Sequence, residues 1–458
     1  MGWRVLNLPL ARAPWAVTAA AAALVSLGVV GTDLRWMVPL GRLVAHGHLP
    51  GSLPFASAQT SGWHDVPALA ELLAWSMFSL LGERGLILLQ LGAVTLAWSV
   101  LARGLRRQGS ADGSAALVAA LVVIGCLPQL VYTRSYLFSL ALFPVLVYLL
   151  EQESRVPSRR IWLAVPLVAL WSNLHGGVLT GWAVLLVYLV LARRDRRTAA
   201  AVGVASTLAL FATPVLLETP AYYRQVFENE SARRHWGLWA PASLNGYGLA
   251  LAACAVLLLA LAVRGRLRLW EAVALCVLAA ATVRLARVEP FLLFLAAYPG
   301  ARALALPGLR RRLSTAALFA LAGMAILSWA HGPRDPGSHL LARQAAASKL
   351  PVLADAMLAE QVELYGGTVR FGNPLDAFRT GDQRLYLDWL EGKPGSLRAI
   401  TDAALVLVHT DSAQGQLAAH DRRLHLVRQY KGVALYRVGP GRLKPVPSEP
   451  AELRLDTP

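Results

Sequence analysis

The chain has 458 residues, is 56% hydrophobic and only 16% charged, and carries a formal net charge of +17. Apolar runs of roughly 16 to 20 residues recur along it, which excludes an ordinary soluble enzyme and indicates a polytopic helical membrane protein. The positive charge does not indicate nucleic acid, because the arginines lie in short segments between apolar runs and form no basic face interleaved with aromatics.

Arg4 and Arg12 precede an apolar run from Trp15 to Val30. No A-x-A cleavage site follows, so this run reads as an uncleaved first span. Further arginine groups stand at Arg103, Arg106 and Arg107; at Arg155, Arg159 and Arg160; and at Arg193, Arg194, Arg196 and Arg197. Two more follow, at Arg264, Arg266 and Arg268, and at Arg302, Arg310, Arg311 and Arg312. The positive-inside rule assigns all six groups to the cytoplasm. That is possible only if one of the segments 66–82 and 86–102 fails to cross. Residues 66–82 are bounded by Asp65 and Glu71 at one end and by Glu83 and Arg84 at the other. They read as a juxtamembrane helix in the outer interface.

The spans then run over 15–31, 86–102, 115–131, 136–150, 161–174, 177–192, 199–217, 247–263, 270–286, 289–306 and 313–331. This is an all-α bundle of about 11 transmembrane helices with a first outer loop over 32–85. With the N-terminus in the cytoplasm, an odd number of crossings puts the C-terminal region outside.

Composition changes near residue 332. All four lysines, Lys349, Lys393, Lys431 and Lys444, lie beyond it. Residues 338–362 read as helix, and "GGTVRF", "ALVLVHT" and "GVALYRV" as short strands, with a hairpin turning near Lys431-Gly432. The expected organisation is a transmembrane domain over 1–331, a small extracytoplasmic α/β domain over 332–445 and a disordered Pro-rich tail over 446–458. Cys126, Cys254 and Cys276 fall within apolar runs and have no CxxC spacing, so no disulfide framework or cysteine metal site is expected.

In this topology the unusual polar residues gather on the outer side. Asp33, His64 and Asp65 are in the first outer loop, and Arg134 is in a tight outer turn. "LWSNLHGG" places Asn173 and His175 at another turn, and Arg284 and Arg287 occupy the last. A carboxylate at the membrane surface can deprotonate or orient an acceptor hydroxyl, and arginines can hold a phosphate by charge-assisted bonds. Asp33 is the candidate catalytic base or acceptor-orienting group, and Arg134, Arg284 and Arg287 are the candidate donor-phosphate ligands. His64, Asp65, Asn173 and His175 would line the sugar and acceptor site. A divalent cation (Mg or Mn) could reach Asp33, His64 or Asp65, but no metal-ligand spacing is present and no metal is assigned. Plainer readings stand beside these: Asp65 as a helix cap, Arg134 snorkelling to headgroups, and Gly176-Gly177 making a helix-end turn.

The first outer loop reads "DLRWMVPLGRLVAHGHLPGSLPFASAQTSGWHDVPALAELL". It resembles the GT-C integral-membrane glycosyltransferases, in particular a bacterial subgroup of them. The resemblance rests on an acid after the first span, a G-x(5)-G-x-x-P step (Gly41, Gly47, Pro50), the pair Gly62-Trp63 and the glutamate Glu71 of the next helix. "LWSNLHGG", Thr213-Pro214 and "RLARVEPFLLFLAAYP" extend it along the chain. The chain departs from the subgroup at Leu53, where a second acid is usual, and at Ser135, where proline is.

The resemblance implies transfer of a sugar from a polyprenyl-phosphate donor to a lipid, glycan or protein acceptor outside the bacterial cytoplasmic (inner) membrane, with Glu71 joining the sugar and acceptor site. The alternatives are a non-catalytic lipid-linked-glycan binder or assembly subunit of the same fold, and a secondary transporter. The transporter fits less well, because the polar groups sit at helix ends on one side and no internal repeat is present.

Overall fold

The computed structural model describes residues 13–25, 29–60, 62–243, 246–306, 338–393 and 395–439. The expected span 313–331 and the tail 446–458 lie outside the described residues. The chain divides into two compact units, one of residues 1–54, 60–334 and 373–383 and the other of residues 55–59, 335–372 and 384–458.

The first unit is helical. Its helices are α1 (Ala13–Val25), α2 (Met37–Ala45), α3 (Ala68–Leu81), α4 (Glu83–Arg107), α5 (Asp112–Gly125), α6 (Leu127–Val131), α7 (Leu137–Arg155) and α8 (Ala164–Ser172). They continue with α9 (Val178–Leu191), α10 (Arg196–Ala209), α11 (Thr219–Glu228), α12 (Glu230–Arg233), α13 (Tyr247–Arg264), α14 (Leu269–Arg284) and α15 (Glu289–Arg302). Leu117, Val190, Leu208, Val256 and Val277 are exposed on these helices. A helix that is apolar on its outward side as well as its inward side suits a lipid surround rather than water. Among the described residues, α4 with 25 residues and α7 with 19 are long and apolar enough to cross a membrane, while α3, α5, α9 and α13 are apolar and shorter.

Between α1 and α3 lies a short helix, α2, that the sequence does not announce. α2 packs on α3 so closely that a Cβ on Gly41 would lie 2.0 Å from the Glu71 carbonyl oxygen. Gly47, at φ 80, then turns the chain just beyond the end of α2. The two glycines of the G-x(5)-G step therefore have separate reasons: close approach for one, positive φ for the other. α3 and α4 meet at Gly82 (φ 61), and a Cβ on Gly85 would lie 1.9 Å from the Met77 carbonyl oxygen.

At the ends of α7, α14 and α15 remote from Arg134 and Arg287, buried acids meet the arginines. Arg268 Nη1 donates to Glu151 at 3.1 Å, and Arg302 Nη2 donates to the two Glu271 oxygens at 2.8 and 2.6 Å. Nearby, Arg193 Nη1 donates to Glu153 at 2.8 Å. Buried charge is tolerated when paired in this way. These arginines thus tie helices together as well as marking topology.

The second unit holds a sheet of β3 (Val352–Ala354), β4 (Leu405–His409), β5 (Leu424–Tyr430) and β6 (Val433–Val438) in the order β3-β4-β6-β5. β3 and β4 are parallel, and the other pairs are antiparallel. α16 (His339–Ala347), α17 (Ala356–Leu364) and α19 (Ala413–His420) belong to this unit, with α18 (Thr380–Leu390) between α17 and α19 in the chain. β5 and β6 form a hairpin that turns at Lys431 and Gly432, both at positive φ. Two positive-φ residues match the right-handed twist of the flanking strands.

Candidate active site

The site, within the first unit, begins with a parallel pairing of two very short strands, β1 (Val29–Val30) and β2 (Tyr132–Thr133). The Gly31 N–H extends the ladder by donating to the Thr133 carbonyl at 2.9 Å. The chain segments that follow the two strands carry Asp33 and Arg134, so the pairing brings an acid after α1 to a cation before α7. Asp33 adopts φ 75, a left-handed conformation that Asp tolerates better than most residues. Arg134 lies over the Tyr132 ring at 5.8 Å, and its Nε is buried with no hydrogen-bond partner among the described residues.

Arg287 arrives from a 3₁₀ turn, Ala286–Val288, between α14 and α15. Its guanidinium sits 3.9 Å above the Trp239 ring. Backbone bonds lace the two turns together: Ala286 N–H to the Ala240 carbonyl at 3.1 Å and Ala242 N–H to the Val283 carbonyl at 3.2 Å. Asp33 lies within electrostatic reach of both arginines. Burial raises its carboxyl pKa above the usual range, and Arg134 and Arg287 oppose the rise.

His175 occupies the turn between α8 and α9. The Trp171 indole N–H donates to Ser139 Oγ at 2.8 Å, and Ser139 Oγ lies 2.7 Å from His175 Nδ1. The Gly177 N–H donates to the same Nδ1 at 3.0 Å. A ring nitrogen that accepts from Gly177 cannot itself carry a proton, so Ser139 must donate to it and the imidazole proton sits on Nε2. Burial, with Arg287 adding to it, pushes the His175 pKa down to about 3. The ring is therefore a neutral hydrogen-bond donor, packed edge-on against Tyr136 at 5.7 Å.

Asn173 is engaged differently. Its amide donates to the Ala169 carbonyl at 2.8 Å and to the Ala212 carbonyl, clipping the end of α8 to the segment after α10. Arg284 ends α14 as an exposed side chain, whereas Arg287, three residues on, turns toward Asp33. His64 pairs with Glu218 at 3.1 Å, and Gln225 Nε2 donates to the Gly62 carbonyl at 3.0 Å. Residues 62–64 are thereby tied to the segment 218–225.

Asp65 and Glu71 are buried and lie against each other, and among the described residues no N–H or hydroxyl donor reaches either carboxyl. Burial pushes Asp65 up to about 7. The same burial, with the Asp65 charge adding to it, holds Glu71 well above the carboxylate range. The pair holds at least one proton near neutral pH.

Two site residues had no sequence signal as such. Tyr222, on α11, lies within electrostatic reach of Arg287, Asp65 and Asp376. Asp376 comes from the segment 373–383, which packs into this unit through Leu375–Ala377 against α11. Gln383 anchors that segment, accepting from the Glu230 N–H at 2.8 Å and donating to the Phe378 carbonyl at 2.7 Å. Burial pushes the Asp376 carboxyl up to about 6; the Asp33 charge adds to the rise, and its own backbone N–H and the Trp63 indole oppose it. Among the described residues, no three His, Cys, Asp or Glu side chains converge as a metal-ligand set.

No family model and no curated protein sequence matches the chain. Solved structures do resemble it. The arabinofuranosyltransferase AftD from Mycobacteria, in one class of a mutant, matches with a TM-score of 0.51 at 16% identity, over 93% of this chain and 42% of that one. ArnT from Cupriavidus metallidurans in the apo state matches with a TM-score of 0.44 at 14% identity, over 92% of this chain and 97% of that one. The same protein bound to undecaprenyl phosphate matches with a TM-score of 0.44 at 16% identity, over 93% and 98% of the two chains. The chain thus spans less than half the length of the AftD chain it matches. With its helical bundle and the AftD match, this chain has the fold of the GT-C membrane glycosyltransferases.

Proposed function

We propose that the chain is a membrane glycosyltransferase that takes a sugar from a polyprenyl-phosphate donor and passes it to an extracytoplasmic lipid, glycan or protein acceptor. The observation that carries this reading is the meeting of Asp33 with Arg134 and Arg287, from three separated segments. Two cations beside a carboxylate suit a reaction in which a hydroxyl attacks and a phosphate departs. In that reaction the acceptor oxygen bonds to the anomeric carbon, and the bond from that carbon to the phosphate oxygen breaks. The bonding pair goes to the phosphate, whose charge Arg134 and Arg287 stabilise. The buried, unpartnered Nε of Arg134 supplies a donor for a phosphate oxygen. Asp33 acts on the acceptor hydroxyl as base or orienting group. His175 offers its Nε2–H to a sugar or phosphate oxygen, while Asp65, Glu71 and His64 line the adjoining wall. Arg284 remains available to lipid headgroups at the mouth.

The eleven-span topology, with the site outside the cytoplasmic membrane and residues 332–445 on the same side, belongs to this proposal. A fusion reporter placing residues 338–439 in the cytoplasm overturns the topology. Intact-mass analysis of glycolipids in a strain deleted for the gene tests the activity. The deletion and Asp33→Asn are expected to give the same altered profile; a profile restored fully by Asp33→Asn and Asp33→Ala refutes it. Polyprenyl-phosphate-sugar binding by the purified wild type without any turnover identifies a non-catalytic binder instead.

A further inference from the structure

We propose that the seam between α9 and α10 is a binding groove for an anionic phospholipid, whose chain lies along the groove and whose phosphate rests on Arg196. The inference needs the membrane setting of the fold and not the glycosyltransferase reading, so either can fail without the other.

The groove has a volume of about 500 Å³. That falls within the roughly 300–1,000 Å³ of sites that hold small molecules. Leu186, Leu189 and Val190 of α9 form one wall. Ala199, Gly203 and Thr207, each with the residue after it, form the other, at the spacing of a single side of α10. Gly203 gives the groove its depth. A Cβ there would meet the Leu186 and Leu189 side chains at 3.8 Å, an ordinary contact, so the bare glycine leaves about a methyl group's room unfilled. Walls with no atoms opposite them forgo dispersion contacts that a ligand chain would restore.

Inside the groove, the lining offers a polar ligand nothing. Its one hydroxyl, on Thr207, donates to the Gly203 carbonyl at 2.8 Å and accepts from the Trp182 indole at 3.2 Å. Val190, Val204 and Leu208 are 60%, 61% and 65% exposed. An apolar trough open along its length suits a hydrocarbon chain.

Charge lies at one end only, where Arg196 is the single charged residue of the lining. Its Nη1 donates to the Val190 carbonyl at 2.6 Å, which holds the guanidinium at the last turn of α9. A guanidinium has five N–H donors, so one such bond leaves others for a phosphate oxygen. Arg194 and Arg197 stand exposed beside it. The acid among them, Asp195, caps α10 by accepting from the Thr198 N–H and hydroxyl, and Arg193 is taken by Glu153. That end therefore carries three arginines against one acid.

Length selects the occupant. From Arg196 to Leu208 the helix rises about 18 Å, close to half of a hydrocarbon core about 30 Å thick. The groove thus reaches through one leaflet, as a phospholipid chain does, whereas an undecaprenyl chain is far longer than one leaflet is deep. In the topology proposed above, the arginine end faces the cytoplasm, the side on which the membrane surface is negative. α9 starts just after the His175 turn, and the segment after α10 holds the Asn173 amide through the Ala212 carbonyl. A lipid filling the seam braces the helices that carry that turn.

The test uses the full-length protein in detergent, with dioleoyl phosphatidylglycerol as the probe and dioleoyl phosphatidylcholine as the zwitterionic comparator. Native mass spectrometry of the wild type is expected to retain a single phosphatidylglycerol. Its melting temperature is expected to rise roughly 2–4 °C more with that lipid than with phosphatidylcholine. Gly203→Leu fills the trough and is expected to lose the retained lipid. Gly92→Leu, at an exposed glycine of α4 with open space around it, is expected to keep it. Arg196→Gln is expected to weaken binding about 5-fold, the worth of one cation beside an anionic surface, and Arg196→Lys to restore most of it. These two variants leave the trough untouched and decide the matter if Gly203→Leu fails to fold. Equal retention of the two lipids, or wild-type binding by Gly203→Leu or Arg196→Gln, reduces the groove to ordinary annular contact and overturns the proposal. Displacement of phosphatidylglycerol by equimolar undecaprenyl phosphate assigns the groove to an isoprenoid, and a dimer that disappears in Gly203→Leu assigns it to a second copy of the chain. Either result overturns the proposal as well.

Discussion

Gly31 and Arg134 are in close apposition across the β1–β2 pairing: a Cβ on Gly31 would lie 3.2 Å from both Cγ and Nε of Arg134. The glycine leaves room for the arginine to lie down beside Asp33. A side chain here would act on the site rather than on the fold, because the neighbour that must move is a flexible one. Gly31→Val is expected to lower sugar transfer by about 10- to 100-fold, the scale that a misplacement near 1 Å produces. Melting temperature in detergent is expected to stay close to wild type. A large loss of thermal stability with normal specific activity in the folded fraction contradicts this reading.

Arg284 and Arg287 look alike in the sequence, yet only Arg287 reaches Asp33 and stacks on Trp239. Arg287→Ala is expected to slow transfer on the order of 100- to 1,000-fold, as loss of one preorganised oxyanion donor does. Arg287→Lys restores charge without the planar stack and is expected to recover only part of it. Arg284→Ala is expected to stay within about 3-fold, since an exposed charge away from the reacting atoms contributes little beyond screening. Steady-state transfer assays of the three variants side by side check the ranking.

The contrast between those arginines shows where the sequence is legible. Asp33, Arg134 and Arg287 stand out because each polar residue directly follows or precedes an apolar run, and charge topology alone gathers such positions on one side. What separates Arg287 from Arg284 is a three-residue 3₁₀ turn, and helix periodicity carries no information about which way such a turn aims a side chain. α2 was hidden because its nine residues include Pro39 and Gly41, and the need for that glycine comes from its contact with α3, not from local propensity. Glu151, Glu153 and Glu271 sit at helix ends among arginines, where a sequence reading counts the arginines for topology and sees no pairing. Asp376 could not be read at all: its proximity to Asp33 depends on a segment folding back into the helical unit, and no spacing rule connects the two.

The Asp65–Glu71 pair makes stability depend on pH in a definite direction. Both pKa values are raised in the folded protein, so the folded state holds protons more tightly than the unfolded chain. The contribution is fully present below the ordinary carboxylate range and is lost as pH rises toward and beyond about 7, the Asp65 value. Glu71→Gln removes one charge and leaves Asp65 an amide donor. It is expected to raise the melting temperature at pH 8 and to leave it nearly unchanged at pH 5. An equal effect at both pH values excludes a shared proton.

His175 behaves in the opposite sense. Its folded pKa, about 3, lies below the ordinary imidazole value of 6.5, so the unfolded chain takes up a proton that the folded site refuses. Stability contributed by the neutral ring is therefore present above pH 6.5 and is lost as pH falls toward 3. Gln in its place cannot titrate, and His175→Gln is expected to unfold with a weaker acid dependence across that window. Activity offers an independent check, because a ring neutral throughout the working range contributes no limb to the rate profile above pH 5. The ring's tautomer depends on Ser139 and on the bare Cα of Gly177, where a Cβ would lie 2.4 Å from Ser139 Oγ and 3.0 Å from His175 Nδ1. Gly177→Ala is expected to break that arrangement at a cost of about 1–3 kcal/mol in stability, the range for overpacking. It should also slow transfer more than Ser139→Ala, which removes one bond to Nδ1 and leaves the one from Gly177. If Gly177→Ala matches wild type in both melting temperature and rate, the hydrogen-bonded His175 is not the donor the site uses.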